Sequence, residues 1–376
     1  MTVKIDQSNS NPATCCTYHD DAKGMTAGSE AWDEFFGHYP CLFKEGQEVG
    51  KLNRNNFGQF EDGTTADITS GNTGDVMIAF PRRGLKISTN GNIVTISMTN
   101  NPNDPNFEYY AHTRGTTAKD VFYLGAYMGT QIMSTSGQKI RSLKNTNILI
   151  GGHFDAYRTF TQMNGTSNES GGSGYEQSGF FQLTYRQAMY VLKYKNIDSQ
   201  TTIGRGYIKS SNTEAIKTGG TENWGMDCEL IKQTNQSYMT DMEHHVKLFG
   251  IEDFWGNVQE WIDGVYLNET CNILTTTNNF NSTGSGYTTS GSSGLTDSTS
   301  GYVSKIQGTS ANGFIAKEMN GSVTTHFCDK NSIASDACIA FGGYWKSVNQ
   351  TGIFYICCYK SSNLNNSMTG TRLMYL

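Results

Sequence analysis

Residues 250–265 read GIEDFWGNVQEWIDGV. Phe254, Val258, Trp261, Ile262 and Val265 recur at helix-like spacing, and Trp255 adds a second bulky aromatic. Gly256-Asn257 supplies a tight turn in the middle of the run. Aromatics at this density mark a packed core element, since each buries on the order of 200 Å².

The surrounding chain of 376 residues is long enough for two or three domains. Only 16% of its residues are charged, while it carries 42 glycines, five prolines and 12% aromatics. Disordered chains are aromatic-poor, so this composition describes a loop-rich, β-rich globular protein. The net charge of −6, without a long basic run, argues against a nucleic-acid groove or an anionic-membrane patch. No stretch approaches the roughly 20 apolar residues of a membrane helix, so membrane insertion is not expected. Met1 to Asn11 is polar and lacks the apolar core of a signal peptide, which predicts folding in a cytoplasm. The nine cysteines include no C-x-x-C and no Cys/His cluster, so a structural zinc site is not expected. A cytoplasmic folding site predicts mostly reduced thiols; Cys328 and Cys338 are the candidate bridge, which the compartment disfavours.

Residues 1–70 read as an extended, turn-rich N-terminal region for attachment or oligomerisation, and 71–376 as the main domain. Strands are predicted at Asp75–Phe80, Leu85–Ile87, Ile93–Met98 and Val121–Tyr127. In the third, Val94, Ile96 and Met98 form the more buried face. Residues 161–179 read as a polar loop. A helix follows, with Thr184 and Gln187 as a capping box and Tyr185, Ala188, Met189 and Leu192 on its apolar face. Lys193 and Lys195 suit its C-terminal end. The Gly/Ser/Thr-rich stretch 275–301 reads as a flexible insertion.

Three separated segments carry a family resemblance. Gly256, Asn257, Val258, Glu260 and Trp261 resemble the G-N-V-x-E-W signature of the formylglycine-generating-enzyme family. Phe341 to Trp345 (FGGYW) resembles that family's R-G-G-S-W strand, and Gly370 to Leu373 (GTRL) its terminal G-F-R-L. The resemblance implies an α+β, C-type-lectin-like fold with mixed twisted sheets, two helices and long loops. VMIAFPRRGLKI, FFQLTYRQAMYVLKYKNIDSQTTIGRGY and KLFGIEDFWGNVQEWIDG are similar to prophage tail proteins. The segment 341–376 is similar to the variable region of diversity-generating-retroelement proteins that set phage tropism. What this implies is a receptor-binding protein of a virion tail, made in the bacterial host cytoplasm. Its partners would be a host cell-surface protein or glycan and other tail components, and its state a homotrimer.

The residues of the C-terminal segment support a binding surface independently. Ile353 to Tyr359 reads IFYICCY. Its pleat sets Phe354, Ile356 and Cys358 inward and Ile353, Tyr355, Cys357 and Tyr359 outward. On the preceding strand Tyr344 and Lys346 alternate with Gly343 and Trp345, so Trp345 is predicted inward and Tyr344 outward. Residues 360–369 read KSSNLNNSMT and offer a core little. Tyr, Ser and Asn are the side chains that recognition surfaces favour. The expected ligand-binding set is Tyr344, Lys346, Ser347, Asn349, Gln350, Tyr355, Cys357 and Tyr359, continuing through Lys360, Asn363, Asn365, Asn366, Met368 and Thr369. The retroelement resemblance implies adenine mutation. Asn349, Asn363, Asn365 and Asn366 would then be template-like, and Tyr344, Tyr355, Cys357 and Tyr359 products, an expectation that sequences of sibling loci check directly.

The rival readings are an oxidase and a purely structural tail component. The oxidase chemistry needs a copper-binding cysteine pair a few residues apart. Cys357 and Cys358 are adjacent, so a strand would point them to opposite faces, and no enzyme activity is expected. His153, His244, His245 and His326 read as surface residues. No cofactor is expected; Asn257 and Glu260 suit either core hydrogen bonding, the stronger reading, or a structural calcium ion as in some family members.

Overall fold

The structure, a computed structural model, describes residues 1–134, 137–164, 174–228, 240–360, 362 and 366–376. Its strands form three main sheets. A four-stranded sheet runs in the order Cys16–His19, Thr2–Asp6, Ile93–Thr99, Gly84–Asn90. A seven-stranded sheet begins Tyr175–Gln177, Leu373–Tyr375, Val121–Gly125, Asp75–Pro81 and continues Tyr39–Lys44, Gln47–Asn53, Asn56–Phe60. The largest has eight strands, with Gln259–Leu267, Ala337–Phe341 and Ile356–Tyr359 at its centre. Four α-helices accompany them among the described residues: α1 (Ala31–Phe36), α2 (Phe154–Gln162), α3 (Phe180–Tyr194) and α4 (Ser199–Thr202). The class is α+β.

The four strands predicted between residues 75 and 127 are present, the last ending at Gly125 instead of Tyr127. Val94, Ile96 and Met98 are fully buried, while Ile93, Thr95 and Ser97 are half-buried, as the alternation requires. The strands of 1–70 pair across the expected boundary at residue 70. Thr2–Asp6 lies beside Ile93–Thr99, and Tyr39–Lys44 beside Asp75–Pro81. The stretch 275–301 is not a free insertion. Thr288–Ser292 pairs with Asn272–Thr275, and Ser300–Tyr302 pairs with Lys330–Ser332, because Thr and Ser suit exposed edge strands. All nine cysteines are free, Cys328 and Cys338 included.

Helix α3 begins earlier than its sequence signals suggest. Gly179 is its N-cap, without a side-chain cap, and the helix starts at Phe180. Thr184 and Gln187 lie inside it and are buried; the Gln187 amide donates to the Ile353 carbonyl at 2.8 Å instead of capping. Every residue of α3 is buried, so its polar side chains need partners. Gln182 donates to the Ala111 carbonyl at 2.6 Å, and Lys193 to Asp33 at 2.7 Å and Asp227 at 2.5 Å. Of the expected loop 161–179, Tyr175–Gln177 is an edge strand and 165–173 lies outside the described residues.

The stretch 250–265 is a turn followed by a strand. Asp253, Gly256 and Asn257 have positive φ, and Gln259–Leu267 then crosses the largest sheet. Its apolar residues fall at helix-like spacing by coincidence, since a strand covered on both faces needs no alternation. Trp255 and Trp261 are both buried, as expected. The strand pairs antiparallel with Ala337–Phe341 and parallel with Thr369–Gly370, so the three resemblance segments meet.

At that meeting point Arg372 is fully buried. Its Nε donates to Glu260 Oε2 at 2.8 Å, Nη1 to the Gly125 carbonyl at 3.0 Å, and Nη2 to the Glu252 carbonyl at 3.0 Å. Arg186 of α3 approaches Glu260 to 3.9 Å and lies over the Phe254 ring. Burial pushes the Glu260 carboxyl up, but Arg372 and Arg186 outweigh it and hold it below the usual range. Breaking such a pair strands a buried charge. Arg372→Met is expected to cost about 3–5 kcal/mol in urea unfolding. The double variant Glu260→Met/Arg372→Met should cost less than the single one, whereas additive losses would contradict the pairing.

Candidate ligand-binding surface

The strand Ile356–Tyr359 lies between Ala337–Phe341 and Lys330–Ser332, with Ala340 opposite Cys357 and Asn331 opposite Ile356. Central placement fixes which face each side chain takes. Phe354, Ile356 and Cys358 are buried; Tyr355, Cys357 and Tyr359 are half-buried on the other face. Ile353 departs from the predicted pattern and is fully buried. It precedes the strand and docks on the helices, its amide donating to Ser199 Oγ at 3.0 Å.

Gln259, which sequence reasoning did not single out, ties the tyrosines together. The Tyr359 hydroxyl donates to Gln259 Oε1 at 2.6 Å, and Gln259 Nε2 donates to the Tyr355 hydroxyl at 3.4 Å. Asn366 Nδ2 donates to the Tyr359 hydroxyl at 3.3 Å, and the Tyr359 ring meets Trp261 edge-on at 5.2 Å. The residue's signal was its place beside Glu260 and Trp261 at the start of a central strand. Burial pushes the Tyr355 and Tyr359 phenols and the Cys357 thiol up, so these three groups are uncharged at neutral pH. Its side chains offer ring surface and hydrogen bonds, and Cys357 is a poor nucleophile.

Residues 342–350 are a turn and a short 3-10 helix, not a continuing strand. Gly342 and Gly343 have φ of +88° and +67°, and a Cβ on Gly343 would come within 2.2 Å of Thr351 Oγ1. The glycine pair therefore ends the strand at Phe341. Trp345 is buried, as expected, while Tyr344, expected outward, is half-buried against it, with Met368 packed nearby. Lys346 is exposed.

Several expected contact residues do other work. Ser347 is buried, and its hydroxyl accepts the Tyr344 amide at 2.8 Å to close the turn. Thr369 is fully buried, bonding the Asn366 carbonyl at 3.0 Å while pairing with Gln259. Asn366 is buried too, accepting the Met368 amide at 3.0 Å. Asn349 is half-exposed and accepts from Arg205 at 2.7 Å, beside half-exposed Gln350. Lys360 is exposed and pairs with Asp297 at 2.6 Å. Asn363 and Asn365 lie outside the described residues. Tyr344, Tyr355, Cys357, Tyr359 and Met368 thus make the centre, with Lys346, Asn349, Gln350 and Lys360 toward the edges.

The other candidate residues are engaged elsewhere. Asn257 Nδ2 donates to Asp253 at 2.7 Å and its Oδ1 accepts the Ile216 amide at 3.0 Å. Together with the Arg372–Glu260 pair, this fits the core-hydrogen-bonding reading of Asn257 and Glu260. Among the described residues, His245, Glu252 and Asp253 bring three ligand-type atoms within 4.8 Å. His245 is therefore not the surface residue its sequence suggested; its Nδ1 lies 2.9 Å from Asp253 Oδ2. Glu252 accepts the Gly219 amide at 2.6 Å and the Thr221 amide at 2.9 Å. The carboxylates are thus already supplied with donors, and the proton on His245 serves as their shared cation.

A search of protein-family models and of curated proteins finds no match to this chain.

Burial lowers the His245 pKa, but Asp253 and Glu252 outweigh it and hold it up to about 10. The folded value exceeds the unfolded one of about 6.5, so the stabilisation is full below that value and is lost as pH rises towards 10. Between pH 6.5 and 8 the unfolded chain loses this proton while the folded chain keeps it. His245 should therefore contribute a decline of about 1.5 kcal/mol over that window. Denaturant titrations of the parent and His245→Gln should differ by that slope; parallel profiles would contradict the charged pair.

Proposed function

We propose that the chain is a ligand-binding protein of the phage- or prophage-tail type, built on a C-type-lectin-like domain of the formylglycine-generating-enzyme class. It presents the face around Tyr344, Tyr355 and Tyr359 to a molecule on the host surface. The observation that carries this reading is the arrangement of Tyr355, Cys357 and Tyr359 on one half-open face of a central strand. Rigid tyrosines offer large contact area at little entropic cost. The backbone beneath them is fixed by pairing on both sides, so the outward side chains can change without disturbing the inward ones.

The fold assignment draws on the order of GNVQEW, FGGYW and GTRL and on their convergence at Arg372 and Glu260. The binder is favoured over the oxidase by the opposed directions of Cys357 and Cys358, one half-open and one buried. A receptor-binding role also makes a trimer useful, since linked weak sites gain avidity of on the order of 10²–10⁴ when geometry permits. A protein or a glycan of the host envelope is the partner class.

Replacing Tyr344, Tyr355 and Tyr359 together by Ala is expected to abolish adsorption of the purified protein to whole host cells while leaving a cooperative unfolding transition. Unchanged adsorption would favour a structural tail component over a receptor binder.

A further inference from the structure

A cleft of about 700 Å³ opens far along the sequence from the tyrosine face, and none of its lining residues belongs to 341–376. Its walls come from α1, the turn at Arg54-Asn55, the last turn of α3 and Gly225–Asp227. This volume is of the size that holds a small organic ligand.

The cleft is acidic. Glu30, Asp33, Glu34 and Asp227 face two cations, Arg54 and Lys193, so four negative against two positive groups leave a formal −2. His38 adds no charge, because burial and then Arg54 push its pKa down to about 3. The inner end is balanced: Lys193 Nζ bridges Asp33 at 2.7 Å and Asp227 at 2.5 Å. The outer end is not. Glu30 and Glu34 are exposed, and among the described residues neither has a cationic partner within 4 Å. With Asp33 they stand at positions i, i+3 and i+4, where like charges repel.

A second observation is independent of that acidic cluster. His38 lines the cleft and is fully buried, yet neither ring nitrogen has a hydrogen-bond partner. Its Nε2 faces Asp33 Oδ1 at 4.0 Å, too far for a bond. A buried polar group left unsatisfied in this way is costly. It leaves an unused hydrogen-bonding group behind the carboxylate that a ligand would meet.

We infer that this cleft binds a small aliphatic polyamine, with its ammonium groups lying between the rim carboxylates Glu30 and Glu34 and the inner carboxylate Asp33. Ammonium groups match the chemistry because they bring both the missing positive charge and several N–H donors. A polyamine suits the spacing better than a metal ion, which needs donors converging on one point. Among the described residues three such donors converge only at His245, Glu252 and Asp253, away from the cleft. Asp33 fits the same role. Burial and the Asp227 charge raise its pKa to about 6 despite Lys193, so additional positive charge beside it is favourable.

The test is a calorimetric titration of the full chain with spermidine at low ionic strength, alongside Glu30→Gln/Glu34→Gln. Both substituted side chains are exposed, so the circular dichroism spectrum should match the parent's. Saturable binding by the parent, weakened roughly tenfold in the double variant, is expected. The inference is overturned if the parent shows no saturable heat or if the double variant binds equally well. It is also overturned if magnesium chloride at matched ionic strength abolishes binding where sodium chloride does not, because a point cation would then be the better occupant.

Discussion

The pairing of Arg372 with Glu260 is the constraint on which the rest of the structure depends. An arginine with no exposure must place its donors on acceptors, and these come from separate parts of the chain: Glu260 in the central strand, the Gly125 carbonyl, and the carbonyls of Glu252 and Asp253. One side chain near the end of the chain thereby fixes the turn before Gln259–Leu267, the end of Val121–Gly125 and the parallel contact of Thr369–Gly370. Replacing the whole arrangement by apolar residues could be neutral in energy. What the ion pair does is tie together acceptors from Gly125, Glu252, Asp253 and Glu260.

That tie separates the C-terminal segment into fixed and open parts. The chain is held at Ala337–Phe341, leaves through the Gly342-Gly343 turn, and returns for Ile356–Tyr359. It is held again from Thr369 to Tyr375. Between these anchors Tyr344, Tyr355, Cys357, Tyr359 and Met368 are half-buried, with Lys346, Asn349, Gln350 and Lys360 toward the edges. Gln259 and Asn366 brace the phenol of Tyr359 from below.

The sequence was most legible where one physical rule dominated. Alternation in Ile93–Thr99 and Ile356–Tyr359 named the buried faces, because a two-residue period has little ambiguity. It was least legible where tertiary packing overrode local chemistry. The Thr184–Gln187 pattern suggested a helix start, but the helix is buried on all sides and uses Gln187 to hold Ile353. The residues 250–265 mimicked helical spacing because their strand is covered on both faces. Ser347, Asn366 and Thr369 looked like surface polar groups and are instead the hydrogen bonds that close buried turns. His245 gave no sign of its partners, since Asp253 reaches it only through a reversal of the chain at Phe249-Gly250. Within the candidate surface, the aromatic centre was readable from residue type and pleat, while the supporting Gln259 emerged only from the strand pairing.

The central claim is that the tyrosine face touches a host molecule. Placing a photo-crosslinking residue at the exposed position of Lys346, and separately at exposed Lys317, tests it directly on illuminated whole host cells. The account predicts one discrete covalent adduct from position 346, suppressed by excess unlabelled protein, and none from position 317. Equal labelling from both positions, or no adduct from either despite adsorption, would contradict it.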